Sequence, residues 1–294
     1  MDIRQLRYLV SLSRERHFAR AAEACGVAQP TLSAGLRHLE DELGVPVVER
    51  GNRFKGFTPE GERVLAWAQR ILADCEALEQ ELVRSRKSVR GRLLLGVIPA
   101  ALTMVAGLTR ELLARQPAVG IKLLSQSSIE IQRGLEAFEL HAGVTYLDNE
   151  PLTRVRSLPL YREHYVLLGR PGHGLEGRTS IGWAEAGELP LCLMVPEMQN
   201  RRIIDAAFAR SGTRPTPAVE TDSMAALVSL VREGGLFAVA PDHLLQRLGA
   251  DPSLLAVPLA DPDIVHTVGL VIADREPTPP LVAELWAAGQ TIRI

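Results

Sequence analysis

The chain has 294 residues, 46% of them apolar and 23% charged, a composition that supports a packed core and excludes a mostly disordered chain. Length alone sets a prior of about two domains. No run approaches the roughly 18 consecutive apolar residues of a membrane helix, and Arg4, Arg7 and Arg14 interrupt the N-terminus where a signal peptide needs an apolar core, so the expected location is the cytoplasm. The formal net charge of −2 hides an asymmetry: residues 1–57 carry nine Arg/Lys against seven Asp/Glu. A modestly basic head on an acidic body hints at an anionic partner for the head. Cys25, Cys75 and Cys192 lie too far apart for a CxxC site or a disulfide framework.

Residues 1–90 read as almost wholly helical. Ile3, Leu6, Leu9 and Val10 recur at helical spacing behind Asp2, an N-cap residue. A second helix covers Phe18 to about Cys25 and stops at Gly26, suited to a left-handed cap. A third opens at Gln29-Pro30-Thr31, with proline in the first turn, carries the stripe Leu32, Leu36, Leu39 and Leu43, and ends at Gly44. Val45 to Phe57 suits a β-hairpin wing. Thr58-Pro59-Glu60-Gly61 starts a long helix, because threonine caps, proline fits N1 and acidic residues favour the positive helix end. On that helix Val64, Ala68, Ile71, Cys75, Leu78 and Leu82 recur in steps of four and three, the heptad seam of helix pairing; packing within its own domain is the alternative. Arg84–Gly91 is basic and rich in small residues, as a linker would be.

After residue 91 the pattern changes to apolar runs alternating with helices. Leu93–Ile98, Ile121–Leu124, Ala142–Tyr146, Tyr165–Leu168, Leu191–Val195, Leu236–Ala240, Leu254–Val257 and Val268–Ile272 read as strands. A helix follows Pro99 to about 115, and others fall near 128–138, 200–210, 223–233 and 279–288. Continuous runs separated by helices predict a mainly parallel α/β sheet covered on both faces.

Two short helices joined by a glycine turn match a helix-turn-helix, although an ordinary αα-hairpin has the same outline. In the first reading the second helix enters the major groove. Phe18, Arg20, Gln29, Pro30, Thr31 and Ser33 would then face bases and phosphates, with Arg37, Arg50, Arg53 and Lys55 on the backbone.

The residues Leu6-Arg7-Tyr8-Leu9, Phe18-Ala19-Arg20-Ala21-Ala22, Gln29-Pro30-Thr31-Leu32-Ser33, Leu39-Glu40, Leu43-Gly44-Val45, Glu49-Arg50 and Thr58-Pro59-Glu60-Gly61 occur in order and spacing. On them the chain resembles the LysR-type transcriptional regulators. Ala34-Gly35 departs from the longer polar side chains many members carry there. The resemblance implies a multidomain protein: an all-α winged helix-turn-helix with a long linker helix, then an α/β, periplasmic-binding-protein-like effector domain of two lobes. Mapped here, the parts are 1–58, 59–91 and 92–294, with lobe I at 92–161 and 267–294 and lobe II at 162–266. It implies double-stranded promoter DNA, a small-molecule effector, RNA polymerase and further copies of the chain as partners, in a homodimer or homotetramer, and no cofactor.

For the effector cleft the candidates are Pro99, Ala100, Ser127, Ser128, Tyr146, Asn200, Arg201 and Thr221, most of them at strand-to-helix junctions where spare N–H groups attract anions. Each such serine is more often a plain helix cap than a ligand contact, and Arg201 and Arg202 read alternatively as solvated charge. A small carboxylate or other anion is the expected effector; Ser127–Pro151 resembles regulators of one-carbon operons, which makes formate a candidate. The chain reads as free of a GxSxG elbow, P-loop, GxGxxG or HExxH, so an enzyme is not expected. Thiol sensing would need a reactive cysteine, and Cys192 sits inside an apolar run, where burial makes thiols inert.

Overall fold

The computed structural model describes residues 1–49, 54–84, 89–244 and 251–292. The chain divides into two compact units, Met1–Lys87 and Ser88–Ile294.

In the first unit, α1 (Ile3–Glu15) begins in a complete capping box, with Asp2 accepting from the Arg4 N–H and Gln5 reaching back to Asp2. It buries Leu6, Leu9, Val10 and Leu12. Next come α2 (Phe18–Ala24) and α3 (Gln29–Leu43), which ends at Gly44 with φ 69°. Gly26, with φ 67°, turns the chain between them, a conformation glycine adopts without penalty. The long helix α4 (Pro59–Arg84) opens with the Gly61 N–H on the Thr58 hydroxyl, 2.9 Å. A Cβ at Gly61 would sit 2.0 Å from the Val47 carbonyl oxygen, so this turn admits only glycine. Within the described part of the wing, one antiparallel bridge, Val48 to Phe57, remains of the expected hairpin. Glu40, buried on α3, accepts the N–H groups of Val47 (2.8 Å) and Val48 (3.0 Å) and anchors the wing's first arm.

The second unit contains two sheets, one for each of the two lobes that the resemblance implies, and both are mixed rather than mainly parallel. The first takes β1 (Gly91–Val97), β2 (Val119–Ser125), β3 (Ala142–Tyr146), β4 (Val155–Glu163) and a late strand, β11 (His266–Ala273), in the order β2-β1-β3-β11-β4. The second takes β5 (Tyr165–Gly169), β6 (Ile181–Gly182), β7 (Leu191–Met194), β8 (Val219–Thr221), β9 (Phe237–Pro241) and β10 (Leu255–Ala260), in the order β6-β10-β5-β9-β7-β8. The helices α5 (Val105–Arg115), α6 (Ser128–Glu136) and α10 (Pro280–Thr291) serve the first sheet; α7 (Trp183–Ala186), α8 (Gln199–Arg210) and α9 (Met224–Gly234) serve the second.

Antiparallel pairing enters where the chain crosses between lobes. β11 runs antiparallel to β3 and β4, and β5 antiparallel to β9 and β10. Two crossovers, at His164 and at 261–265, join the lobes. The strand Val155–Glu163 escapes the sequence reading because Arg156, Pro159, Arg162 and Glu163 interrupt its apolar pattern.

Candidate functional sites

In the first unit the buried stripe Leu32, Leu36 and Leu39 turns the opposite side of α3 outward. Gln29, Pro30, Thr31 and Arg37 are exposed there, and Ser33 is half-buried. Lys55 is exposed on the wing; Arg50 and Arg53 lie outside the described residues. Arg20 is exposed and donates to the Glu15 carbonyl at 2.7 Å. Phe18 is half-buried and packs edge-on against Phe54, which meets Phe57 in turn. Its contacts tie the wing to α2. The Ala34-Gly35 departure also has a packing role: a Cβ at Gly35 would meet the Tyr8 ring at 2.8 Å.

The α4 seam divides along its length. Ala68 is fully buried in the first unit's own core, with Val64 and Ile71 packed against it. Leu78 and Leu82 stand 62% and 64% exposed, and Trp67, which the heptad count passes over, is 62% exposed. At 100° per residue Trp67 shares the side of Leu78. An exposed apolar stripe therefore runs along Trp67, Leu78 and Leu82.

In the second unit, the loop after β1, the N-terminus of α6 and the end of β3 face the starts of α8 and α9 and the end of β7. Carboxyl ends of strands and amino ends of helices converge there, as at ligand crevices of open α/β sheets. Pro99, Ala100, Ser127, Ser128, Tyr146 and Asn200 line one small cavity of about 10 Å³, with Ile98, Met194, Met198, Gln199 and Met224, a space the size of one water. Arg201 and Thr221 are not on its lining. Beside it opens a broader groove of about 850 Å³ between Pro99, Leu102 and Thr103 of one lobe and Asp222–Ala225 and Val228 of the other, within the range of small-molecule sites.

Arg201 is turned to structural work. Its Nε donates to both Asp205 oxygens (2.9 and 3.0 Å), and Nη1 donates to Glu220 (2.5 Å) and the Met194 carbonyl (2.7 Å). Burial would lower its pKa, but the hydrogen bonds it donates to Glu220 and Asp205 outweigh that and hold the guanidinium charged. Arg201 is therefore already paired with carboxylates on its own lobe. Its neighbour Arg202 proves to bridge the lobes: Nε and Nη2 clasp the two Glu150 oxygens at 2.6 and 2.9 Å, and Nη2 reaches the Ser128 hydroxyl at 3.3 Å. Ser127 caps α6 in a full capping box: its N–H and hydroxyl both donate to Glu130 at 2.8 Å, while its oxygen accepts the Glu130 N–H.

Behind the cavity lies a buried carboxyl group that sequence reasoning missed. Glu163, fully buried at the end of β4, accepts the Tyr146 hydroxyl at 2.6 Å, and that hydroxyl accepts Asn200 Nδ2 from the opposite lobe at 3.1 Å. Burial pushes the Glu163 carboxyl up to about 7, against the hydroxyls of Tyr146 and Tyr165, which lower it. A lone glutamate in an extended segment carries no motif that would have announced it. One glycine pattern, Gly172-His173-Gly174-Leu175-Glu176-Gly177, does spell GxGxxG, contrary to a reading free of nucleotide motifs. It forms turns between β5 and β6 instead of opening a helix, so the anion-binding geometry that motif needs is missing. Among the described residues no group of His, Cys, Asp and Glu is placed to hold a metal, and no helix is long and apolar enough to cross a membrane.

Comparison with known proteins covers both units. A family model described as a bacterial regulatory helix-turn-helix protein, lysR family, matches residues 3–62, and a LysR substrate binding domain matches 86–291. The regulator IlvR of Caulobacter vibrioides is 32% identical over 294 residues, covering 96% of this chain and 95% of that protein. The dual regulator OxyR of Escherichia coli is 28% identical over 289 residues, covering 94% and 91%. Among solved structures, full-length OxyR from Pseudomonas aeruginosa superposes with a TM-score of 0.78 at 27% identity, over 99% of this chain and 98% of that one. CbnR shares the fold at a TM-score of 0.68 and 19% identity, over 99% and 98%. Helix-turn-helix head, two-lobed α/β body and the matches along both identify the chain as a member of the LysR family of transcriptional regulators.

Proposed function

We propose that residues 1–58 read promoter DNA, that 59–91 pair two copies of the chain, and that the two-lobed part, 92–294, senses a small molecule in its cleft. The observation that carries the DNA reading is the outward side of α3. Gln29, Pro30, Thr31 and Arg37 are exposed on a helix whose other side is locked into the core. Base edges are read by polar side chains at the start of such a helix, and phosphates are held by cations around it. The stripe of Trp67, Leu78 and Leu82 gives two heads a way to pair on an inverted repeat.

The cleft acts by binding and not by catalysis. Arg202–Glu150, Asn200–Tyr146 and the His243–Ala100 carbonyl contact at 3.3 Å all span the two lobes, so an occupant that alters them alters lobe closure. It shifts the regulator only by its differential affinity for the two arrangements. A peroxide response, which the OxyR relatives' names carry, finds no support in these thiols. Cys192 is fully buried on β7 with its pKa raised by burial, and Cys25 and Cys75 belong to the first unit.

The test is fluorescence anisotropy of the full chain on the intergenic DNA upstream of its own gene, across a salt series. Preference for that fragment over scrambled DNA, weakening with salt, is the expected result. Equal affinity for both at every salt concentration contradicts the reading.

A further inference from the structure

The interlobe cavity is built from side chains that are almost wholly buried yet not fully hydrogen-bonded. Gln199 and Asn200, 3% and 5% exposed, both line it. Gln199 Nε2 and Asn200 Oδ1 have no partner, so one amide donor and one amide acceptor are left unused at the same recess. Ser128 accepts from Arg202 and keeps its own hydroxyl proton to give. Buried polar groups are as a rule satisfied; as the lobes stand the recess has room for about one water, and with the lobes parted its unused donor and acceptor suit a larger molecule that both donates and accepts.

The charges around the recess decide what that molecule carries. Both nearby guanidinium groups are spent, Arg201 on Asp205 and Glu220 and Arg202 on Glu150. The amino end of α6 already holds an anion of its own, the Glu130 carboxylate on Ser127. The outer groove adds Asp222 and Asp251 to Glu130; among the described residues Arg232 is the basic residue on its lining, and that guanidinium is held by Asp251 at 2.6 Å. Behind Tyr146 lies Glu163. Among the described residues, a carboxylate entering here would give up its hydration beside carboxylates and meet only guanidinium groups already held by acidic partners. The first-turn N–H groups of α8, unpaired within the helix, suit a carbonyl oxygen. Met194, Met198 and Met224 supply an adaptable apolar wall.

We propose that the cleft takes an uncharged molecule with a carboxamide-type head, donating to Asn200 and accepting from Gln199, and not a carboxylate. The proposal rests on the reading of this cleft as the effector site. Calorimetry of the full chain at pH 7.5 against the isosteric pairs propionamide/propionate, butyramide/butyrate and benzamide/benzoate tests it directly.

In at least one pair the amide is expected to bind about tenfold or more tighter than its carboxylate, because a site with buried polar groups rejects a ligand that leaves them unpaired. Gln199→Met keeps the side chain's shape and should remove most of that preference. Should circular dichroism show that variant unfolded, Ser128→Ala makes the same test from the opposite lobe. Carboxylates binding as well as or better than their amides overturn the proposal, as does the absence of binding by every amide at millimolar concentration. Promoter-fragment anisotropy on the same preparation separates the two readings. Specific DNA binding without amide preference removes this inference alone, and amide preference without specific DNA binding removes the regulator reading instead.

Discussion

The two units place their polar chemistry oppositely. In the first, the groups we assign to DNA and to pairing are those the core leaves outside: Gln29, Thr31 and Arg37 around α3, and Trp67, Leu78 and Leu82 along α4. In the second, the groups we assign to the effector cleft are those the fold has taken in: Gln199, Asn200, Tyr146 and, behind them, Glu163, all nearly or fully buried. The contrast follows from the partners. A DNA duplex is too large to enclose and must be met by a surface, whereas a small molecule is recognised by being surrounded and desolvated. Mutations should therefore affect affinity and assembly in the first unit, and stability and pH response in the second.

The largest effect is expected at the exposed stripe. Leu78→Glu puts a charge where a second helix would pack, and should weaken self-association by about 2–4 kcal/mol, as for other central interface positions. Folding should be spared, because Leu78 contributes little to its own core. Sedimentation at several concentrations checks this, and an unchanged oligomer would move the interface elsewhere.

The buried carboxyl comes next. The folded-state pKa of Glu163 is raised to about 7 from an ordinary 4.5. Between those values the unfolded chain ionises while the folded one keeps its proton, so stability falls as pH rises through that window and levels off above it. The loss is on the order of 2–3 kcal/mol. Glu163→Gln cannot ionise and should flatten the decline; urea unfolding at pH 5 and pH 8 measures it. A variant with the wild-type slope would assign the pH dependence to other groups.

A smaller effect is expected at the α6 cap. Ser127→Ala removes the hydroxyl that both accepts the Glu130 N–H and donates to its carboxylate, and should cost about 1 kcal/mol in urea unfolding. No loss would mean that Glu130 on the Ser127 N–H suffices.

How far the sequence reaches differs between the units in the same way. α1 to α4 are written locally: Asp2 with Gln5, Gly26, Pro30, Gly44 and Thr58-Pro59 all act within a few residues, so their signals survive without the fold. Trp67 hides because it falls beside the heptad count, not on it. In the second unit the decisive contacts are distant. Tyr146 meets Glu163 from 17 residues away and Asn200 from 54, and Arg202 meets Glu150 across 52. Nothing in a single chain of letters pairs them. Arg201 was half visible, since Asp205 lies four residues on, one helical turn away, but its second partner, Glu220, is on another element. The mixed sheets escaped because an apolar run shows burial and not strand direction.

One measurement tests the account most directly: affinity for the upstream intergenic fragment and for scrambled DNA, across salt, for wild type, Gln29→Ala and Arg37→Ala. Gln29→Ala should collapse the preference for the fragment and leave the salt slope unchanged. Arg37→Ala should weaken both DNAs alike and reduce the slope by about one. If both variants keep the wild-type preference and slope, the exposed side of α3 does not read DNA.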